Sequence, residues 1–248
     1  MVNLDLKEIQ SYVNDNIGTF HQRRAKVLEV LELNRLIKKN TYLFKAKNIT
    51  TANDLISGLL EAFLSSSEEE IFGDFLEGLA VFIAQETYNG HKSAAQGIDV
   101  EFNKDKIHYV ISIKSSTGWG NSSQQNKLKN DLKIAVARIK QLHKDTNVQP
   151  VLGICYGNTK TSFLRGYMKV VGQNFWFLIS GNKELYKEII EPIGYEAKKH
   201  NDDFNLEKSK IINNFTKAFL DEFCKSSGEI DWKKLVEFNC GNFDLNEQ

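Results

Sequence analysis

The chain has 248 residues, 41% of them hydrophobic, and its 32 Lys and Arg balance 32 Asp and Glu. That length can bury a sizeable core, and no stretch approaches the roughly 18 apolar residues of a membrane span. The opening MVNLDLKEIQ lacks the basic head and apolar run of a secretory signal, and Cys155, Cys224 and Cys240 are too scattered for a zinc site, so they read as reduced thiols in a cytoplasmic protein.

In chain order, Leu4 to Leu36 carries helical periodicity in two segments split near Ile17, Gly18 and Thr19, and Tyr42–Leu43–Phe44 looks like a short strand. Thr51 to Asp54 reads as a helix start before Leu55, Ile56, Leu59, Leu60 and Phe63. A second helix is expected from Glu68, where three glutamates suit the positive end of the macrodipole; its apolar stripe is Ile71, Phe72, Phe75, Leu76, Leu79, Phe82 and Ile83. At Gly97 the period changes to two. Ile98 to Phe102 and Ile107 to Lys114 alternate on either side of the polar turn Asn103–Lys104–Asp105–Lys106. A polar loop from Ser115 leads to a helix carrying Leu128, Leu132, Ala135, Val136, Ile139 and Leu142. Further strands are expected at Val151 to Tyr156 and Met168 to Val171, and helices from about Lys183 to Glu237. The expected fold is an α/β mixed sheet flanked by helices. It is one domain over 1–248, with a helical part over 1–96, a catalytic α/β core over 97–180 and a helical C-terminal part over 181–248.

The neutral total hides charge blocks. His21 to Lys47 holds eight Lys and Arg against two acids, Asn48 to His91 holds eight acids and no Lys or Arg, and Lys104 to Asp145 holds nine bases against three acids. Such blocks are commonly solvated helix faces, but they also fit a basic groove around an acidic pocket.

The hairpin brings chemistry together. With the turn centred between Lys104 and Asp105, Phe102 opposes Ile107, Glu101 opposes His108 and Asp99 opposes Val110. Opposed residues share a face, so Asp99 and Glu101 lie on the side of Ser112 and Lys114. Any hairpin symmetric about that turn gives the same sides, and only a one-residue slip would break it. A carboxylate beside a lysine at a strand end suits phosphodiester hydrolysis, which needs a metal to hold the phosphate and a cation to stabilise developing charge. A bare Asp–Lys pair on a sheet is more often a surface ion pair of little consequence. The five histidines form no HExxH or HxxxH pair, and there is neither a GxSxG elbow nor a P-loop.

These residues resemble a family. Asp99 with Ser112–Ile113–Lys114 looks like the PD-(D/E)xK nuclease core, and SIKSSTGWGNSSQ from Ser112 to Gln124 is similar to type II restriction endonucleases of the PmeII type. The similarity continues in NIGTFHQRR from Asn16, YLFKAKN from Tyr42, IFGDFLEGLA from Ile71, CYG from Cys155 and VGQNFWFLISGNKELYKEIIEPIG from Val171. The resemblance implies Mg²⁺-dependent cleavage of double-stranded DNA at a short palindromic site. It also implies a homodimer and a bacterial setting shared with a protecting DNA methyltransferase.

Carried onto this chain, Asp99 is the metal-binding aspartate and Lys114 the catalytic lysine. Ile98 stands at the proline position, and Ser112 stands at the second acidic position, where it brings no negative charge. A second carboxylate must therefore come from elsewhere: Glu77 first, Glu101 second. Glu77 lies opposite the Ile71–Phe75–Leu79 stripe among Gly73, Val81 and Ala84, small or apolar neighbours that mark a face meeting protein. PD-(D/E)xK nucleases often draw a carboxylate from this preceding helix. The expected metal ligands are thus Asp99, Glu77, Glu101 and Ile113, with Asp99, Lys114 and Glu77 catalytic. Ser115, Ser116, Trp119, Asn121, Ser122, Ser123 and Gln124, with Arg165 and Lys169, are the expected DNA contacts. A structure-specific or repair nuclease of the same kind, and a DNA-binding protein with impaired catalysis, remain open alternatives.

Overall fold

The computed structural model describes residues 5–164 and 166–242. It divides into two compact units, the first formed by Met1–Phe20 with Phe72–Tyr195, the second by His21–Ile71 with Glu196–Gln248. Two long helices, α1 (Leu6–Glu29) and α4 (Ala52–Tyr88), contribute residues to both. No helix among the described residues is long and apolar enough to cross a membrane.

The first unit is built on a mixed six-stranded sheet: β1 (His91–Lys92), β2 (Val100–Lys104), β3 (Ile107–Ser116), β4 (Asn147–Tyr156), β5 (Ser162–Leu164) and β6 (Tyr167–Val171). The order is β1-β2-β3-β4-β6-β5, with β3, β4 and β6 mutually parallel and the outer strands antiparallel. The parallel centre is buried on both faces, as the continuous apolar run of β4 requires. Pro150 sits in β4 one residue before the ladder to β6 begins at Val151, so its missing N–H costs that ladder nothing.

One sheet face carries Val100, Phe102, Ile111 and Ile113, which pack with Ile9, Val13 and Ile17 of α1 and Phe75, Leu76, Leu79 and Ile83 of α4. Phe175 and Trp176 of α6 (Gln173–Ser180) close the same cluster. The fit is tight at Gly153, where a β-carbon would lie 2.3 Å from the Phe175 ring. The other face packs Val110, Leu152 and Ile154 under Leu128, Leu132, Ala135 and Ile139 of α5 (Ser122–Leu142).

The β2–β3 hairpin turns on two residues, Asp105 and Lys106, with φ of 51° and 64°. Two positive φ values in a two-residue loop match the right-handed twist of the strands it joins. This places Phe102 opposite Tyr109 and Glu101 opposite Val110, two residues from the expected register. An even shift preserves faces, so Asp99 and Glu101 still share a side with Ser112 and Lys114.

The second unit is helical. Alongside parts of α1 and α4 it contains α2 (Leu33–Leu36), α3 (Thr41–Ala46), α9 (Ala197–Phe223) and α10 (Trp232–Cys240). Its core joins Leu36, Phe44, Leu55, Leu59 and Leu60 to Phe204, Phe219, Phe223 and Leu235. The short helices α7 (Leu185–Glu188) and α8 (Ile190–Ile193) belong to the first unit.

Three local expectations are corrected. The break expected near Gly18 falls instead at residues 30–32, between α1 and α2, because Gly18 is tolerated inside a helix that buries Ile17. The two expected helices around Ser65–Ser66–Ser67 are one, the Ser66 hydroxyl bonding back to the Ala62 carbonyl in place of breaking the helix. Tyr42–Leu43–Phe44 is helical in α3, started by Asn40, whose side chain accepts from the Leu43 N–H.

Candidate active site

Asp99 stands just before β2. Its N–H donates to the Ile111 carbonyl at 2.9 Å, which continues the β2–β3 ladder one step and sets the carboxylate at the strand end. There Oδ2 accepts from the Ile113 N–H at 2.5 Å and from the Ser112 hydroxyl at 3.4 Å. Oδ1 accepts no hydrogen bond among the described residues. Ser112 is buried, and its hydroxyl is directed at Asp99 itself.

Glu77 reaches the same place from α4. Burial pushes its carboxyl up, and the Asp99 charge pushes it further, against the pull of Lys92 and Lys114. Asp99 is also raised by burial, against the Ile113 N–H, Lys114, Ser112 and Lys92. The two carboxylates thus lose solvation near each other, with the charges of Lys92 and Lys114 acting on both. Such a pair gains most from a cation placed between them.

Glu101 is engaged differently. It is buried, and Oε1 accepts from Arg138 of α5 at 2.6 Å and from the Ser93 hydroxyl. Oε2 lies 3.0 Å from His108 Nε2, whose ring bonds Asn103 through Nδ1. These donors, His108 foremost, pull its pKa down to about 2. With both oxygens committed, Glu101 locks β2, β3 and α5 together. The Ile113 side chain is in the core and its N–H is spent on Asp99, so only its carbonyl oxygen has ligand chemistry. Cys155, at the end of β4, feels the Glu77 and Asp99 charges, but burial above all pushes its thiol far up, so it stays protonated. Among the described residues no group of three or more His, Cys, Asp or Glu forms a ready-made metal cage. Two carboxylates with an open oxygen fit a cation that retains water and takes its remaining ligands from substrate.

Lys114 leaves β3 next to the loop that follows, its ammonium 5.8 Å from the centre of the Trp119 ring. Beyond Trp119, Asn121 caps α5. Its side chain accepts from the Gln124 N–H at 3.1 Å while Gln124 Oε1 accepts from the Asn121 N–H at 2.9 Å. This reciprocal box occupies both side chains in starting the helix. Ser122 and Ser123 are exposed in its first turn, and Ser115 and Ser116 end β3 half-buried. Lys169 is in β6, and Arg165 lies outside the described residues.

A family model for type II restriction endonuclease EcoO109I matches residues 7–201. The chain belongs to the type II restriction endonuclease EcoO109I family. No curated protein matches it. The matched span of this restriction endonuclease contains Glu77, Asp99, Lys114 and the loop to Gln124. Sequence reasoning passed over one charged neighbour, Lys92. It lies on a two-residue strand too short to show periodicity, yet its Nζ is 3.8 Å from Glu77 Oε1. A cavity of about 480 Å³ opens beside this pair, lined by Tyr12, Asp74, Glu77, Gly78, Gln85 and Lys92 among others.

Proposed function

We propose that this restriction endonuclease cleaves double-stranded DNA at a short palindromic site by Mg²⁺-assisted phosphodiester hydrolysis in a PD-(D/E)xK-type centre. The observation that carries the reading is the convergence of Asp99 and Glu77, both raised by burial and Glu77 also by the Asp99 charge, beside Lys114 and Lys92. Asp99 and Glu77 would hold the metal, which supplies polarisation of the scissile phosphate and activation of water. Lys114 stabilises charge developing on the phosphoryl oxygens. Ser112 and the Ile113 N–H orient Asp99 so that its other oxygen faces the substrate side. The commitment of Glu101 to Arg138 and His108 favours Glu77 as the second carboxylate. Ser115, Ser116, Trp119, Ser122 and Ser123, near the site, and Lys169 contact DNA, while Asn121 and Gln124 shape the loop from which those contacts are made.

The chain works as a single endonuclease domain and acts as a homodimer, the symmetry that reads a palindrome most simply. It has a bacterial cytoplasmic setting, with a DNA methyltransferase protecting the host site. The resemblance to the PmeII type, which runs through nearly the whole chain, supports this reading. Digestion of genome-sized DNA with Mg²⁺, followed by sequencing of the fragment ends, tests the reading. Discrete fragments whose ends share one short palindrome are expected; random ends, or no cleavage with any divalent ion, would overturn it.

A further inference from the structure

Lys92 is the last residue of β1 and pairs with Val100, the residue that follows Asp99. Opposed residues of an antiparallel pair share a face, and the Val100 face packs on α4, the helix that carries Glu77. Lys92 Nζ accordingly stands 3.8 Å from Glu77 Oε1. Charge-assisted N–H···O⁻ bonds close to about 2.7–2.9 Å, so this pair is held by charge without a formed hydrogen bond. The Lys92 side chain is 74% exposed, against 32% for Glu77. A long, wet cation joined loosely to one carboxylate can turn to another anion without leaving a buried group unpaired.

The site's own charge says which anion. Asp99 and Glu77 repel a polyanionic backbone, and cations on the substrate side must offset them. Lys114 on β3 supplies one. Lys92 on β1 supplies the other, with Asp99 at the end of the strand between them. Lys92 leaves the sheet on the Val100 face and Lys114 on the Asp99 face, and the charges of both act on Asp99 and Glu77. We propose that Lys92 is a phosphate-contact residue: it pairs with Glu77 in the free protein and moves to a DNA backbone phosphate when DNA enters the site. This rests on reading the Asp99–Glu77–Lys114 cluster as the cleavage centre.

A phosphate contact weakens binding to every sequence alike and leaves its mark on salt dependence, so the test needs no knowledge of the recognition site. Wild type, Lys92→Gln and Lys92→Arg are titrated with an arbitrary duplex of about 30 base pairs, without divalent metal, between roughly 50 and 200 mM salt. Lys92→Gln should bind more weakly, with a log–log salt slope shallower by about 0.9, and Lys92→Arg should keep the wild-type slope. An unchanged slope in Lys92→Gln, with wild type binding and cutting DNA, overturns this inference alone. A wild type that binds no duplex overturns the nuclease reading with it.

Discussion

Arg138 of α5 and Glu101 of β2 form an ion pair with Nη2 2.6 Å from Oε1, and the carboxylate end of that pair is buried. Glu101 therefore acts as an internal tie between the sheet and the helix above it, two residues from Asp99. Glu101→Gln keeps the shape but leaves Arg138 and His108 facing a neutral amide. Arg138 is 39% exposed and can turn to water, so losing the carboxylate charge should cost about 1–3 kcal/mol in urea unfolding at neutral pH. Metal binding should survive at temperatures where the variant is folded. A Ca²⁺ isotherm lost in the folded variant would make Glu101 a ligand.

Glu77→Gln should behave in the opposite way. The variant should be at least as stable as wild type without metal, because a desolvated carboxylate crowded by Asp99 is removed. At low Mg²⁺ its cleavage should fall by roughly 10- to 100-fold or more, with partial rescue by Mn²⁺ or high metal. Normal cleavage over the whole metal range would remove Glu77 from the site.

How far the site was legible follows from which signals are periodic. The hairpin showed its faces because period two survives a two-residue error in register, and the type of turn at Asp105–Lys106 depends on positive φ values that no side-chain pattern announces. Glu77 stood out because Gly73, Val81 and Ala84 flank it on a helix face. The commitment of Glu101 was hidden, since Arg138 lies 37 residues away and nothing local points to it. Asn121 and Gln124 carried two meanings, base-reading amides or a capping box, and the Asn-x-x-Gln spacing before a helix was the signal for the second. A second helix start is expected at Glu68 because three glutamates suit a first turn, but no Pro or Gly stands between Phe63 and Glu68 to end a helix whose two flanking stripes pack.

Lys114→Ala should reduce turnover below about 1% of wild type while leaving DNA affinity within a few-fold, because its charge is needed most in the transition state. Single-turnover cleavage and binding in Ca²⁺ separate the two. Turnover retained above that level would remove Lys114 from the chemistry.

The helical unit should carry a separate acid sensitivity. His21 stacks on His200 with ring centres 4.3 Å apart, and burial, then the charges of His200 and Arg24, hold its pKa down to about 4 from 6.5. The folded form binds fewer protons than the unfolded chain between those values, so the stability His21 permits is present above pH 6.5 and is lost as pH falls toward 4. His21→Gln should flatten the decline of the urea midpoint across that window. A decline as steep as that of wild type would show that another group sets it.

Whether Asp99 holds the catalytic metal is decided by calorimetric titration of Ca²⁺ into the protein–DNA complex. Wild type should give a saturable isotherm, and Asp99→Asn, which keeps the shape and removes the charge, should lose it together with cleavage. An Asp99→Asn complex that binds Ca²⁺ as wild type does would mean that Asp99 is not a metal ligand.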